Sequence, residues 1–484
     1  MQPNDRNGFI TVFMLVALIA NCCQKATGQS VPVKKTLVHS TLEGVSVWLT
    51  NPDKSALFKQ QDTVLSFKTN EGQPTVIDVD DNKTYQGIDG FGCTLTGGSA
   101  SVIKRMDANA RAALLKELFG TEGSNIGISY LRISIGASDL NDHVFTYDDL
   151  PSGQTDTAMA KFSLEPDRAD LIPVLKEILK VNPAIKILGS PWTPPTWMKT
   201  NDSSKGGSLK PSFYDAYARY FVKYIQSMKA EGIKIDAITI QNEPLHPGNN
   251  PSMLMLPAEQ GQFIKKSLGP FFKAANINTR IILYDHNADR IDYPISILND
   301  PEANRYVDGS AFHLYGGKIE SLAEVHNAFP NKNLYFTEQW IGAPGNFPKD
   351  LSWHIKTLII GATRNWCRNV LEWNLAADAH QNPHTPGGCD RCLGALTIEG
   401  NRVTNNPAYY IIAHASKFVR PGSVRIESNI AGNLHTVAFK TPDDRKVLIV
   451  VNDSASSQAF AIRYKGKTAI TGLQGGAVAT YIWR

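Results

Sequence analysis

Ala184-Ile-Lys-Ile-Leu-Gly-Ser190 and Ile235-Asp-Ala-Ile-Thr-Ile-Gln241 are two short β-branched runs, separated by a stretch over Ser212–Glu231 with apolar residues at helical spacing. A buried strand, an amphipathic helix and a second buried strand make a parallel βαβ unit, because parallel strands need a crossover long enough to bring the chain back. Working outward, the same alternation recurs. Upstream lie strand Gly87–Cys93 with helix Ala110–Leu118, and strand Ile128–Ile135 with helix Leu171–Leu179. Downstream lie helix Ala258–Ala275, strand Arg280–Asp285, strand Gly309–Tyr315 with helix Leu322–Phe329, strand Asn333–Thr337 with helix Trp353–Asn365, and strand Asn369–Asn374. Eight strands in this rhythm predict an α/β fold, a closed (β/α)8 barrel of the TIM type.

The two ends of the chain read differently. Val45–Thr50 and Val64–Lys68 alternate as strands, and beyond Gly394 come Val424–Glu427, Leu434–Phe439, Val447–Val451, Ala459–Arg463 and Ala477–Trp483. A single helix, Tyr409–Phe418, leads into them. Short strands without long helices predict an attached all-β sandwich, built from N- and C-terminal strands together. The expected division is 1–28 targeting segment, 29–83 strands joining the sandwich, 84–395 barrel and 396–484 C-terminal sandwich.

Lys+Arg 49 against Asp+Glu 45 leaves +4 over 484 residues. So even a balance speaks against a nucleic-acid partner or a strongly charged membrane binder. Arg6, the apolar run Phe9–Ala20 and the small residues Ala26-Thr-Gly28 form an export signal, expected to be cut after Gly28. A rival reading is a lipoprotein signal, Leu18-Ile-Ala-Asn-Cys22, though Asn21 fits it poorly. The run is short of the ~20 residues of a membrane span, and no later stretch is apolar enough. The expected location is therefore secreted or periplasmic, or the cell surface if the cysteine carries lipid. Past the signal remain Cys93, Cys367, Cys389 and Cys392. Cys389-Asp-Arg-Cys392 has no second pair and no histidines at ligand spacing, so a local disulfide is expected there and no metal or cofactor.

Barrel enzymes carry their chemistry at the carboxyl ends of the strands. The fourth strand ends Gln241-Asn-Glu-Pro244 and the seventh Thr337-Glu-Gln-Trp340. Two facing carboxylates, Glu243 and Glu338, are the minimum for hydrolysing a glycosidic bond: one attacks or activates water, the other protonates the leaving oxygen. An ionised neighbour should raise the acid and keep it protonated. Arg132, near the end of the second strand, can hold a carboxylate ionised, or be a buried structural arginine. Trp192 and Trp197 lie in the stiff loop Ser190-Pro-Trp-Thr-Pro-Pro-Thr-Trp197, suited to stacking on a sugar ring; Trp197 can equally be loop core. Asn242 can bond a sugar hydroxyl, and His313, Tyr315, Trp373 and Asn374 stand at further strand ends. Asp89 and Asp139 are open between substrate contact and loop capping.

Gly90-Phe-Gly-Cys-Thr-Leu-Thr96, Ser190-Pro-Trp-Thr-Pro-Pro-Thr-Trp-Met-Lys-Thr200, Gln241-Asn-Glu-Pro244, Thr337-Glu338, Trp373-Asn-Leu-Ala-Ala377 and Ser416-Lys-Phe-Val-Arg-Pro-Gly422 resemble glycoside hydrolase family 30, which includes glucosylceramidase. The resemblance spans nearly the whole chain after the signal. It implies a retaining β-glycosidase with Glu243 as acid/base and Glu338 as nucleophile. It also places Asp139, Trp192, Asn242, Tyr315 and Trp373 at sugar-binding positions. Leu314 departs from the aromatic residue that glucosylceramidase carries between the sixth-strand His and Tyr. Gly387–Thr397 looks more like the β-1,6-glucanase branch, so the implied substrate is β-1,6-glucan, ahead of glucosylceramide or a general β-glucoside. A non-catalytic glycan-binding protein is the remaining alternative, which the presence of both carboxylates disfavours.

Overall fold

The computed structural model describes residues 44–69 and 75–484. The expected export signal lies outside the described residues. Eight parallel strands close into a barrel: β1 (Gly90–Thr94), β2 (Tyr130–Ser134), β3 (Lys186–Ser190), β4 (Ala237–Thr239), β5 (Arg280–Asn287), β6 (Val307–His313), β7 (Asn333–Glu338) and β8 (Cys367–Asn374), with β8 pairing back onto β1. The β-branched runs form strands here because both faces are covered, one by helices and one by the barrel interior.

Two stacked layers fill that interior. The lower is apolar and takes one residue from each of seven strands: Tyr130, Leu188, Ala237, Ile282, Ala311, Tyr335 and Leu371. Side chains alternate along a strand, so two residues further on the next inward position falls. There the chain places Arg132, Ser190, Thr239, His313, Thr337 and Trp373, a layer that is mostly polar and buried. On β5 the expected inward residue would be Tyr284. Instead the register against β6 shifts between Tyr284 and His286, and Tyr284 and Asp285 both adopt φ of 70°. This irregularity turns Asp285 into the barrel. Register shifts at Phe336/Glu338 in β7 and Glu372/Asn374 in β8 likewise fall at the carboxyl ends, where bulges re-aim side chains toward a site.

The opposite end of the barrel is closed by Asp89, 3% exposed and paired with Lys186, Arg280 and Arg368 at 2.9–3.1 Å. Asp89 is thus a structural residue far from the strand ends that carry Glu243 and Glu338.

The remaining strands form one nine-stranded sheet in the order Lys59–Gln60, Ser46–Thr50, Val478–Trp483, Lys446–Asn452, Leu434–Lys440, Val424–Ser428, Val76–Gly87, Gln458–Tyr464 and Lys467–Leu473. It bends over on itself into a sandwich: Phe460 and Tyr464 of one half pack on Tyr481 and Trp483 of the other. Both ends of the chain contribute, as the sequence predicts. Two details differ. Val64–Lys68 makes only isolated bridges, through Leu65 and Lys68. The long strand Val76–Gly87 went unpredicted because Asp78, Asp80, Asp81, Asn82 and Lys83 hide its alternation; it pairs with Val424–Ser428 across two register shifts. Cys389 and Cys392 form the expected disulfide, and Cys93 and Cys367 are buried thiols. No helix among the described residues is long and apolar enough to cross a membrane.

Candidate active site

A cavity of about 330 Å³ opens at the carboxyl end of the barrel, lined among others by Asp139, Trp192, Asn242, Glu243, Tyr315, Glu338 and Trp373. Its size suits a small polar ligand. Glu243 follows β4 on a residue with φ of 44°, a left-handed conformation that a non-glycine residue holds only under local constraint. Its amide donates to the Asp285 carbonyl. Glu338 ends β7. An oxygen of Glu243, a ring nitrogen of His313 and an oxygen of Glu338 all lie within 4.8 Å of one another.

Glu338 is held at both oxygens. Arg132 Nη1 donates to Oε2 at 2.5 Å and the Tyr315 hydroxyl donates to Oε1 at 2.9 Å. Arg132 has no solvent exposure. Its other terminal nitrogen donates to Asp285 at 2.8 Å, Asn242 Oδ1 at 2.6 Å and Ser190 at 3.2 Å, and the guanidinium lies against Trp192 at 4.8 Å. A planar fork with several donors suits such convergent pairing. Because Arg132 occupies the Asn242 oxygen, the Asn242 amide nitrogen is the atom left for a ligand.

Asp285 ties this layer together. Oδ2 accepts from Arg132, Ser190 and Thr239 at 2.7–2.8 Å. Oδ1 accepts from Thr337 at 2.6 Å and His313 Nε2 at 3.1 Å. The donors come from β2, β3, β4, β6 and β7. Although burial opposes its charge, Arg132 and these hydrogen bonds hold the Asp285 carboxyl well below the usual carboxylate range.

His313 turns Nδ1 toward Glu243 Oε1 at 3.2 Å and lies 3.8 Å from Glu338. Burial resists its protonation, but Glu338, Asp285 and Glu243 around it push its pKa up to about 9. That imidazolium sets the titration of the carboxylates. Burial works against the charge on Glu243, yet His313 outweighs it and holds the group below its usual range. Glu338 lies above its usual range through burial, with the charges of Glu243 and Asp285 adding to it against His313 and Arg132. The pair therefore titrates as a unit. Glu243 is not the raised acid that the sequence suggests, because the His313 imidazolium was not part of that expectation. Burial, reinforced by Glu338 and Glu243, raises Asp139 to about 7, and its Oδ1 has no hydrogen-bond partner among the described residues.

Three of the candidate residues at the strand ends do not line the cavity. Arg132 and His313 lie behind it and act on the carboxylates, and Asn374 is buried with its amide on the Cys392 carbonyl at 3.3 Å. Trp197 is loop core, packed on Phe213 and bonded to the Asp148 carbonyl. The reading of the sequence missed Asp285, and also Trp340, His246, Asn249, His286 and Asn287 on the cavity wall. The one signal the sequence carries for Asp285 is its place at the end of the fifth predicted strand.

A TIM barrel with two close carboxylates at the ends of β4 and β7 is the apparatus of a glycoside hydrolase. The chain belongs to glycosyl hydrolase family 30: residues 88–419 match its TIM-barrel domain and 422–481 its beta sandwich domain. It is 34% identical to the endo-1,6-beta-D-glucanase of Neurospora crassa over 393 residues, 78% of this chain and 80% of that one. With the lysosomal acid glucosylceramidase of Mus musculus it shares 28% identity, covering 85% and 84% of the two chains. Among solved structures, the endo-beta1,6-glucanase BT3312 superposes with a TM-score of 0.85 at 36% identity, over 91% of this chain and 99% of that one.

Proposed function

We propose that this enzyme cleaves β-1,6-linked glucan with retention of configuration, with Glu338 as nucleophile and Glu243 as acid/base. The observation that carries retention is that an oxygen of Glu243 and an oxygen of Glu338 lie within 4.8 Å of each other. Inverting enzymes need roughly 6.5–9.5 Å between carboxyl groups to seat a water, whereas about 5 Å suits direct attack.

In the first step a Glu338 oxygen forms a bond to the anomeric carbon as the glycosidic bond breaks, and its electron pair leaves with the oxygen that Glu243 protonates. In the second step Glu243 takes a proton from water, which attacks the same carbon and releases Glu338. Arg132 and Tyr315 fix Glu338 in place. Glu243 has to carry a proton before bond cleavage, and Glu338 has to be the anion. Positive charge growing at the anomeric carbon stabilises Glu338 as the anion, and the leaving oxygen accepts from Glu243; together these reverse the order set by His313.

The preference for glucan over a glucosylated lipid rests on two supports. The glucanase relatives share 33–34% identity and the glucosylceramidases 27–29%. The cavity wall near Glu243 is polar, with His246, Asn249, His286 and Asn287, which favours a hydroxylated leaving group. Export, the reading that the apolar run Phe9–Ala20 supports, fits a polymeric substrate.

The test is incubation with linear β-1,6-glucan, following oligosaccharides by chromatography and the first-formed anomer by NMR. Oligosaccharides appearing as the β-anomer are expected. No release, with turnover of glucosylceramide instead, overturns the glucan reading; initial α-anomer overturns retention.

A further inference from the structure

The cavity has a second wall made of sulfur and indole. Trp192, Trp373, Leu140 and Cys392 form one buried cluster, with Trp340 and Cys389 packed against it, and both cysteines of the disulfide line the cavity beside Glu338. Trp340 stands two residues after Glu338, whereas the disulfide belongs to the segment after β8.

This segment is fastened to the loops that surround it. Cys392-Leu393 pairs antiparallel with Ile341-Gly342, just after Glu338, and Ala343 donates to the Arg391 carbonyl at 2.8 Å. Thr385 donates its amide to the Asp139 carbonyl at 2.8 Å and its hydroxyl to the Asn250 carbonyl at 2.5 Å. Asn374 holds the Cys392 carbonyl. At Gly342 there is no side chain to hold off Trp340: a Cβ there would stand 3.2 Å from the indole. The indole thus folds back over the strand that pairs with Cys392. The disulfide closes the four-residue turn Cys389-Asp-Arg-Cys392 between these attachments, which keeps the sulfur wall in one shape.

We propose that the disulfide turn and Trp340 form the specificity surface for a glucan residue next to the one being cleaved. Resting on the glucan reading above, this goes beyond it by naming the part of the chain that recognises polymer. The groups placed for the reacting sugar, Asp139, Asn242, Glu243, Tyr315 and Glu338, stand at or after the ends of β2, β4, β6 and β7. A neighbouring sugar lies beyond them, and the sulfur–indole wall is the apolar surface the cavity offers to a ring face.

The test uses the double variant Cys389→Ala/Cys392→Ala, and wild type treated with a phosphine reductant. Each is assayed on β-1,6-glucan and on an aryl β-glucoside, which carries no second sugar. The ratio of kcat/KM on glucan to that on the aryl glucoside is expected to fall at least about tenfold in both samples, and to return when the reduced wild type is reoxidised. An unchanged ratio with both rates intact, or a parallel fall in both rates, overturns the inference while leaving the glucan reading standing. Wild type that turns over the aryl glucoside and releases nothing from glucan overturns the reading and the inference with it.

Discussion

The Asp285 carboxylate accepts from His313 Nε2 at 3.1 Å, which aims the other ring nitrogen at Glu243, 3.2 Å away. A carboxylate with no direct contact to the cavity thereby sets the charge beside the acid/base. Asp285→Asn keeps the shape and removes the charge. It is expected to lower kcat by about 10²-fold, in the range of a lost positioned proton-transfer partner, and to move the alkaline limb of the pH–rate profile to lower pH. A purely structural role for Asp285 would lower stability and leave that limb where it is. Breaking the buried pair with Arg132 should also cost about 3–5 kcal/mol, readable by denaturant unfolding.

The two glutamates are separable by leaving group. Glu338→Ala should lose at least about 10⁴-fold on every substrate, since no covalent intermediate can form. Glu243→Ala should lose about 10²–10⁴-fold on glucan and much less in the glycosylation step of an aryl glucoside whose leaving group departs without a proton. Equal losses on both substrates would reverse or refute the assignment.

Arg132→Lys tests the fork. A single ammonium cannot reproduce simultaneous donation to Glu338, Asp285 and Asn242. A fall of at least about 10²-fold in kcat is expected, with KM changing less; activity within threefold of wild type would show that charge alone suffices.

The stability of the empty enzyme should respond to His313. Its folded pKa is raised from 6.5 to about 9, so its contribution is fully present below pH 6.5 and is lost as pH rises through about 9. Wild type should therefore lose stability relative to His313→Asn across that window. Parallel stability curves from pH 6 to 10 would contradict this.

Glu243, His313 and Glu338 stand close enough to grip a divalent cation. Zn²⁺ takes such N and O ligands once it displaces the His313 proton, and binding there would occupy both carboxylates. Added Zn²⁺ should inhibit competitively with substrate, with EDTA restoring the full rate. Inhibition that persists in Glu243→Gln at the same Zn²⁺ concentration would place the ion elsewhere.

Most of the barrel was legible because buried parallel strands announce themselves as β-branched runs at regular spacing. Glu243 and Glu338 were legible through their place at strand ends. What escaped depended on contacts across the barrel. Asp285 looks like an ordinary strand terminus until the shift at Tyr284 turns it inward. The direction of the Glu243 shift needed the position of His313, 70 residues away in sequence. Val76–Gly87 escaped because its far half is polar and partly exposed, so no alternation survives.

Val76–Gly87 is a strand of the outer sheet that leads within three residues into β1, and Ile88 is bonded to both Gly422 and Ser423 on the return path. The hydrolytic module is therefore not a cassette. A chimera that exchanges only the catalytic barrel with a relative would have to rejoin the chain in the short links where Ile88 is bonded to Gly422 and Ser423. Any transplant of this site has to carry both ends of the chain with it.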